Sequence, residues 1–471
     1  MIRSIHLVPV SEKSHPFGTA LFAVPLSDSG YVEEEYFFDG TANVYERAEN
    51  GGKRIRFADA PYTSRLMIRR PADPAKFSGT IVFEINNSTP QYDLDRCWVL
   101  LRKQIMRDGD IYVGVLSKPN VIRRLMQLDA ERYQSLKWPN PLPCDLPANQ
   151  LGNISGHSSP ESEDGLFWDI LMDTARLLKS ADSRNPLSAF CQKPIKTILS
   201  GWSQSGGYMI RYIKDFSLEE GKDLFDGFLA MGAAPICTPN LNQSDKTPLT
   251  ALDLHPSCVD KPMIDIHTES DNARLGGALS RMENGPLYRM YDIAGPSHDT
   301  VYSSIEYQEG NTDFDRLGIR SRYQGAEPNP NAFPQHLAFH SALAWLKTWI
   351  WEGKAPQILP PIPFDQNLHN QKKDGNSVGG YQLPQFALPV CEYHGTATPP
   401  SPEAAFSCSV FGCERPFAKG ELQKRYGSLA EYESRLTAET DQAIQKGLLQ
   451  AADRDEAIER AMKQAVKYGL M

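Results

Sequence analysis

Apolar positions along the chain alternate or recur in short blocks, and the blocks predict strands and helices joined by polar turns. Residues 31–39 (YVEEEYFFD) and 62–70 (YTSRLMIRR) have the aromatic and β-branched content of strands and predict an antiparallel start. Thr80–Ile85 (TIVFEI) reads as a buried strand. It leads through NNSTP into a helical stretch, DLDRCWVLLRKQIMRDG, closed by Gly109, and a strand at Ile111–Leu116 follows. A strand, a helix and a strand, each strand apolar along its length, predict parallel pairing with helical crossovers, hence an α/β fold.

Residues 118–163 interrupt this rhythm. They are rich in Pro, Asn and Ser, hold one short helical piece (LDAERYQSL), and predict an excursion over one end of the sheet. The alternation resumes with a helix at 165–180, a strand at 195–200, a helix at 205–216 and a strand at 225–232. A loop-rich stretch, 233–260, precedes strands at Met263–His267 and Tyr288–Ile293 and an amphipathic helix at 335–352. A Pro-rich passage, 354–405, leads to helices with capping signals at Ser428…Glu431 and Asp453…Glu456. The expected organisation is a core over 1–353, with 118–163 and 233–260 as a cap over a pocket, and a 354–471 extension packed back on it.

Composition narrows the class. The 471 residues carry 49 basic and 58 acidic side chains, a net charge of −9, which disfavours nucleic acid as a partner. No apolar run reaches the roughly 18 residues of a membrane span, and Lys347 breaks the most apolar helix, Ala342–Trp351. The start, MIRSIHLVPVSEKSHPFG, lacks a secretory h-region, so the expected location is the cytoplasm, with no membrane partner. Eight scattered cysteines without C-x-x-C read as reduced thiols, with Cys408 and Cys413 the one pair close enough to suggest a bridge.

The segment that carries chemistry is TILSGWSQSGGYMIRYI, residues 197–213. A buried strand runs into small residues and then a helix, with Ser203 at the corner, as in the nucleophile elbow G-x-S-x-G, with Ser205 at the fifth position. Ser205 is the alternative nucleophile, in the register S-x-S-x-G. Ser203 is preferred because Gly201 ends the strand and helix residues begin immediately after Gln204, whose backbone N–H then lies at a helix N-terminus able to hold an oxyanion. A serine nucleophile needs an imidazole and a carboxylate, in the order Ser, acid, His on turns after later strands. The strand KPMIDIH ends in TESD, and YRMYDIAG ends in PSHD. Asp271 is therefore the expected acid, with Glu269 the alternative, and His298 the expected base. Asn87 and Ser88, in the NNST loop at 86–89, are candidates for a second oxyanion N–H.

With these pieces in place the chain resembles the alpha/beta hydrolase domain-containing proteins, a subfamily of α/β-hydrolase serine enzymes. The resemblance extends over GYVEEEYFFDGTANVY (30–45), APYTSRLMIRRPADPAKFSGTIVFEINN (60–87), ERYQSL (131–136), GWSQSG (201–206), TESD, YDIAGPSH and GNSVGGYQLPQFALPV (375–390). Gly207 departs from it, since an Arg often follows S-Q-S-G, and Ile85 stands where an aromatic is common. The resemblance implies an α/β-hydrolase fold, with a mostly parallel sheet, helices on both faces, cap insertions and a helical C-terminal extension. It also implies an esterase-like triad on Ser203, Asp271 and His298.

The expected function is hydrolysis of a carboxylic ester without cofactor or metal. The alternatives are acyl transfer by the same triad, or a non-catalytic ligand-binding protein of the same fold. Tyr133, Leu136 and Trp138 suggest a small-molecule ester with an apolar or aromatic moiety, and the C-terminal helices leave homo-oligomerisation open. Other signals carry less. His336 and His340 share a helix face but lack the Glu of a zinc-protease motif. GLFWDILMDTARLL reads as a core helix, and the acidic clusters Glu33–Glu35 and Glu161, Glu163, Asp164 read as solvated faces. The sequon at Asn153 means little without secretion, and no P-loop lysine is present.

Overall fold

The computed structural model describes residues 1–18, 25–143, 145–146, 158–256, 259–320 and 323–471. Cys144, Cys258, the sequon at 153–155 and part of both proposed cap insertions lie outside the described residues. The chain forms two units. One comprises Met1–Met263, Gln308–Arg320 and Ile350–Gly353; the other comprises Ile264–Tyr307, Ser321–Trp349 and Lys354–Met471.

The first unit holds seven strands: β1 (Ile2–Leu7), β2 (Tyr31–Arg47), β3 (Lys53–Pro71), β4 (Thr80–Ile85), β5 (Ile111–Val115), β6 (Lys196–Trp202) and β7 (Gly227–Met231). Their spatial order is β1-β2-β3-β5-β4-β6-β7. The β1–β2, β2–β3 and β3–β5 pairs are antiparallel, whereas β5–β4, β4–β6 and β6–β7 are parallel. β2 and β3 form a hairpin far longer than the apolar blocks at 31–39 and 62–70 indicate: in its outer half β2 buries Ala42, Val44 and Tyr45, while the facing stretch of β3 is mostly exposed and carries no apolar block. β1 went unrecognised because only Ile2 of its six residues is buried. β4, between two parallel partners, is buried at every position.

The helix Arg96–Asp108 connects β4 to β5, and Gly109 closes it at φ 78° with its N–H on the Ile105 carbonyl. Its first turn is capped from outside, by Glu84 of β4, which accepts the Cys97 and Trp98 N–H groups at 2.8 and 2.9 Å. Burial foremost, then Asp95, raises the Glu84 carboxyl to about 8. The helix Phe167–Leu178 buries Phe167, Trp168, Ile170 and Leu171, and the Trp168 ring stacks on Tyr208 and Phe216.

The acidic cluster of β2 is not a solvated face. Glu35 is 1% exposed and pairs with both Arg65 and Arg132, while Arg65 also reaches Asp93. Glu33 pairs with the buried Arg69, which also binds Asp95 and lies over the Trp98 ring. The antiparallel register brings these acids against the cations of β3, so the charges neutralise each other inside the unit. Of the second cluster Glu161 is exposed, but Glu163 and Asp164 are buried, and Asp164 meets Lys118 at 3.2 Å. Tyr133, Leu136 and Trp138 are also buried, with the Tyr133 hydroxyl on Glu35.

The second unit contains neighbouring strands β8 (Met263–His267) and β9 (Tyr288–Asp292), the helix His336–Glu352, two short hairpins and the C-terminal helices. Of the hairpins, Lys372–Lys373 with Asn376–Ser377 lies within the Pro-rich 354–405 stretch, and Cys391–His394 of that stretch pairs with Cys413–Pro416 beyond it. Ser428 and Glu431 form the expected reciprocal cap of the helix Leu429–Gln445. Asp453 does not cap the helix Arg454–Lys467; its carboxylate instead meets His340 Nδ1 at 2.7 Å, and Glu456 meets His336 Nε2 at 3.0 Å. These contacts and a core of Leu422, Tyr426, Tyr432, Leu436, Ala461 and Ala465 hold the C-terminal helices in the unit. All six described cysteines are free thiols, so Cys408 and Cys413 are not bridged. Among the described residues no helix is long and apolar enough to cross a membrane.

Candidate active site

The elbow is built as its small residues require. β6 ends at Trp202, the helix Gln204–Asp215 starts two residues later, and Ser203 joins them at φ 55°, ψ −121°. That is the conformation of the first central residue of a type II′ turn, normally a glycine position. Backbone bonds pin it: Ser203 N–H donates to the Gly232 carbonyl at 3.1 Å, and Ala234 N–H donates to the Ser203 carbonyl at 3.0 Å. A Cβ on Gly201 would lie 2.5 Å from the Ser205 carbonyl oxygen, and one on Gly206 would lie 2.6 Å from the Ala233 Cβ. A Cβ on Gly207 would come within 2.9 Å of the Thr238 nitrogen.

Ser203 is half-buried. Ser205 is buried, and its hydroxyl is spent inside the turn, accepting from Trp202 N–H and donating to the Trp202 carbonyl, both at 2.9 Å. The loop after β4 lies against the elbow. Asn87 Nδ2 donates to the Trp202 carbonyl at 2.9 Å, and the Ser88 and Thr89 hydroxyls donate to Gln204 Oε1 at 3.0 and 3.2 Å. The Asn87 N–H is committed to the Leu94 carbonyl at 2.9 Å, which leaves Gln204 and Ser88 as the expected backbone donors.

In the second unit, Thr268 begins the short helix Glu269–Arg274 with a reciprocal cap, its N–H on Asp271 Oδ2 at 2.6 Å. The other oxygen, Oδ1, meets His298 Nδ1 at 2.5 Å. Asp271 is fully buried; burial drives its pKa up, but His298, His267 and the Thr268 N–H outweigh it, and the net direction is down. The Ser270 hydroxyl accepts the His298 backbone N–H at 2.6 Å, fixing the loop that carries the ring. Glu269 points elsewhere: it accepts from Gly295 N–H at 2.8 Å, Ser377 Oγ at 2.6 Å and Asn370 Nδ2 at 2.8 Å. Thus the structure brings Asp271 and His298 together in one unit, and Ser203, Gln204, Asn87 and Ser88 together in the other.

A family model described as alpha/beta hydrolase domain matches residues 6–459. The chain belongs to this α/β-hydrolase family. No curated protein matches it. Solved structures similar to it include a carboxylesterase from Lactobacillus plantarum, 10% identical over 44% of this chain and 68% of that one, with a TM-score of 0.25. A dienelactone hydrolase from Anabaena variabilis is 12% identical over 59% and 94%, with a TM-score of 0.28. An alpha-beta serine hydrolase homologue from Coxiella burnetii is 10% identical over 55% and 90%, with a TM-score of 0.26. Family membership rests on the sequence match.

Three supports of this α/β hydrolase were not visible as site residues in the sequence. Ser270 and Thr268 read only as polar members of TESD. His267 read as a packed strand residue; it is buried, with Nε2 2.8 Å from Asp265 Oδ1. Burial lowers its pKa, but Asp265 foremost, then Asp271 and Asp292, raise it to about 9. Its charge in turn acts to lower the Asp271 carboxyl. Among the described residues no group of three or more His, Cys, Asp or Glu side chains could hold a metal ion.

Proposed function

We propose that this α/β hydrolase cleaves a carboxylic ester through a serine acyl-enzyme, with Ser203 as nucleophile, His298 as base and Asp271 as the acid that orients it. The observation that carries this reading is the 2.5 Å contact between His298 Nδ1 and the buried Asp271 carboxylate. An imidazole held in that way presents Nε2 as a proton acceptor, and the carboxylate stabilises the imidazolium once formed. The backbone conformation at Ser203 supports the same reading, because a non-glycine residue held there costs free energy that an ordinary turn would not retain.

In this mechanism Ser203 Oγ adds to the ester carbonyl and passes its proton to His298 Nε2. The N–H groups of Gln204, at the start of its helix, and of Ser88 hold the oxyanion. Collapse breaks the ester C–O bond, and the departing alkoxide takes the proton from His298. Water, deprotonated by the same imidazole, then releases the acid and restores Ser203. The proposed substrate is a small ester. The test is turnover of p-nitrophenyl esters of increasing chain length. Ser203→Ala is expected to lower kcat by at least about 10³-fold, and Ser205→Ala by less than about tenfold. The reverse order would overturn the assignment.

A further inference from the structure

The second unit carries a groove of about 520 Å³ that ester hydrolysis leaves unused. Val378, Phe386, Leu388 and Tyr426 supply the apolar part of a lining that is otherwise polar. Lys373, Arg425 and Arg435 stand along it, from the Lys372–Ser377 hairpin, the helix Glu421–Tyr426 and the helix Leu429–Gln445 respectively.

Both guanidinium groups are positioned by aromatic rings. Arg425 Cζ lies 4.4 Å from the Phe417 ring centroid, and Arg435 Cζ lies 5.1 Å from that of Tyr426. Arg435 Nη1 donates to the Arg425 carbonyl at 3.0 Å, and Arg425 Nε donates to Glu421 at 3.0 Å. Among the described residues no carboxylate pairs with Lys373 or Arg435, and no acceptor meets the terminal nitrogens of Arg425. Asp374 is the one acid among the described residues lining the groove. In a chain of net charge −9, three cations and a single acid among the described residues line this groove, with Lys373, the terminal nitrogens of Arg425 and the remaining nitrogens of Arg435 as its donors.

We infer that this groove binds a small anionic amphiphile, with a carboxylate or phosphate monoester head on the two guanidinium forks and Lys373, and a hydrocarbon body on Val378, Phe386 and Leu388. A planar fork with paired N–H donors matches either head bidentately. The volume falls in the range of about 300–1,000 Å³ found for small-molecule sites. This assignment does not depend on the ester-hydrolase reading.

The test is calorimetric titration of the full chain with sodium octanoate, octyl phosphate and 1-octanol. Saturable binding of at least one anion is expected, with the alcohol at least about tenfold weaker. The anion that binds identifies the head. Arg435→Gln and Lys373→Gln, both on exposed side chains, should each weaken the bound anion by about tenfold or more without moving the unfolding midpoint. Val378→Asp should do the same through the apolar part of the lining. Three results would overturn the inference: no saturable heat with either anion up to about 10 mM, 1-octanol binding as tightly as the anions, or binding unchanged in Arg435→Gln.

Discussion

Replacing Ser203 with glycine removes the nucleophile and the backbone strain together, whereas replacing it with alanine removes only the nucleophile. At φ 55°, ψ −121° the Cβ of a non-glycine residue costs about 1–3 kcal/mol. Glycine relieves this but gives the unfolded chain extra freedom, which costs about 0.4–1 kcal/mol. The net expectation for Ser203→Gly is a gain of about 1 kcal/mol over Ser203→Ala, with Ser203→Ala itself within about 0.5 kcal/mol of the parent. The backbone bonds from Ser203 to Gly232 and Ala234 survive both changes, so the comparison isolates the dihedral term. The assay is urea unfolding followed by tryptophan fluorescence; Trp98, Trp138, Trp168 and Trp202 are buried in the same unit as Ser203. With a common m-value the order of midpoints should be Gly above Ala, the latter near the parent. A glycine variant no more stable than the alanine variant would refute the strain argument, and with it the claim that the turn is held against its local preference.

Asp271→Asn should keep the fold and lower kcat on a p-nitrophenyl ester by about 10³–10⁴-fold, since the amide no longer fixes the imidazole tautomer; a loss under about tenfold would count against Asp271. Glu35→Ala leaves Arg65 and Arg132 as buried cations without that partner and should cost about 3–5 kcal/mol by denaturant titration. Burial holds His336 neutral, taking its pKa down to about 3 despite Glu456. The unfolded chain binds a proton near the ordinary 6.5, so this contribution is complete above about 6.5 and is lost as pH falls toward 3, at about 1.4 kcal/mol per unit. His336→Gln should flatten the decline of stability below about pH 6.5, measured as unfolding midpoint against pH; an unchanged slope would contradict the neutral, buried imidazole.

The parts of the molecule readable from sequence are those whose signal is local. β4, β8 and the elbow are short apolar runs bounded by small residues, and Gly201 and Gly206 are dictated by contacts within or beside the turn. Asp271 and His298, whose side chains meet, each close a turn after a recognisable strand. What was illegible depends on distant partners. Glu35 is buried against Arg65, 30 positions later, and Arg132, 97 positions later, and Asp453 abandons its cap for His340, 113 positions away. Glu269 has the same chemistry as Asp271 and sits two residues before it, yet Gly295, Ser377 and Asn370 take up its oxygens, and nothing near it in the chain announces them. β1 and the outer part of β3 are illegible because exposed pairing needs no apolar pattern.

The most direct test is covalent. The full chain is incubated with a fluorophosphonate, digested, and the modified residue located by mass spectrometry. A single adduct on Ser203, lost in His298→Ala and retained in Ser205→Ala, is the predicted result; an unlabelled Ser203 in the folded parent, or an adduct on Ser205, would contradict it.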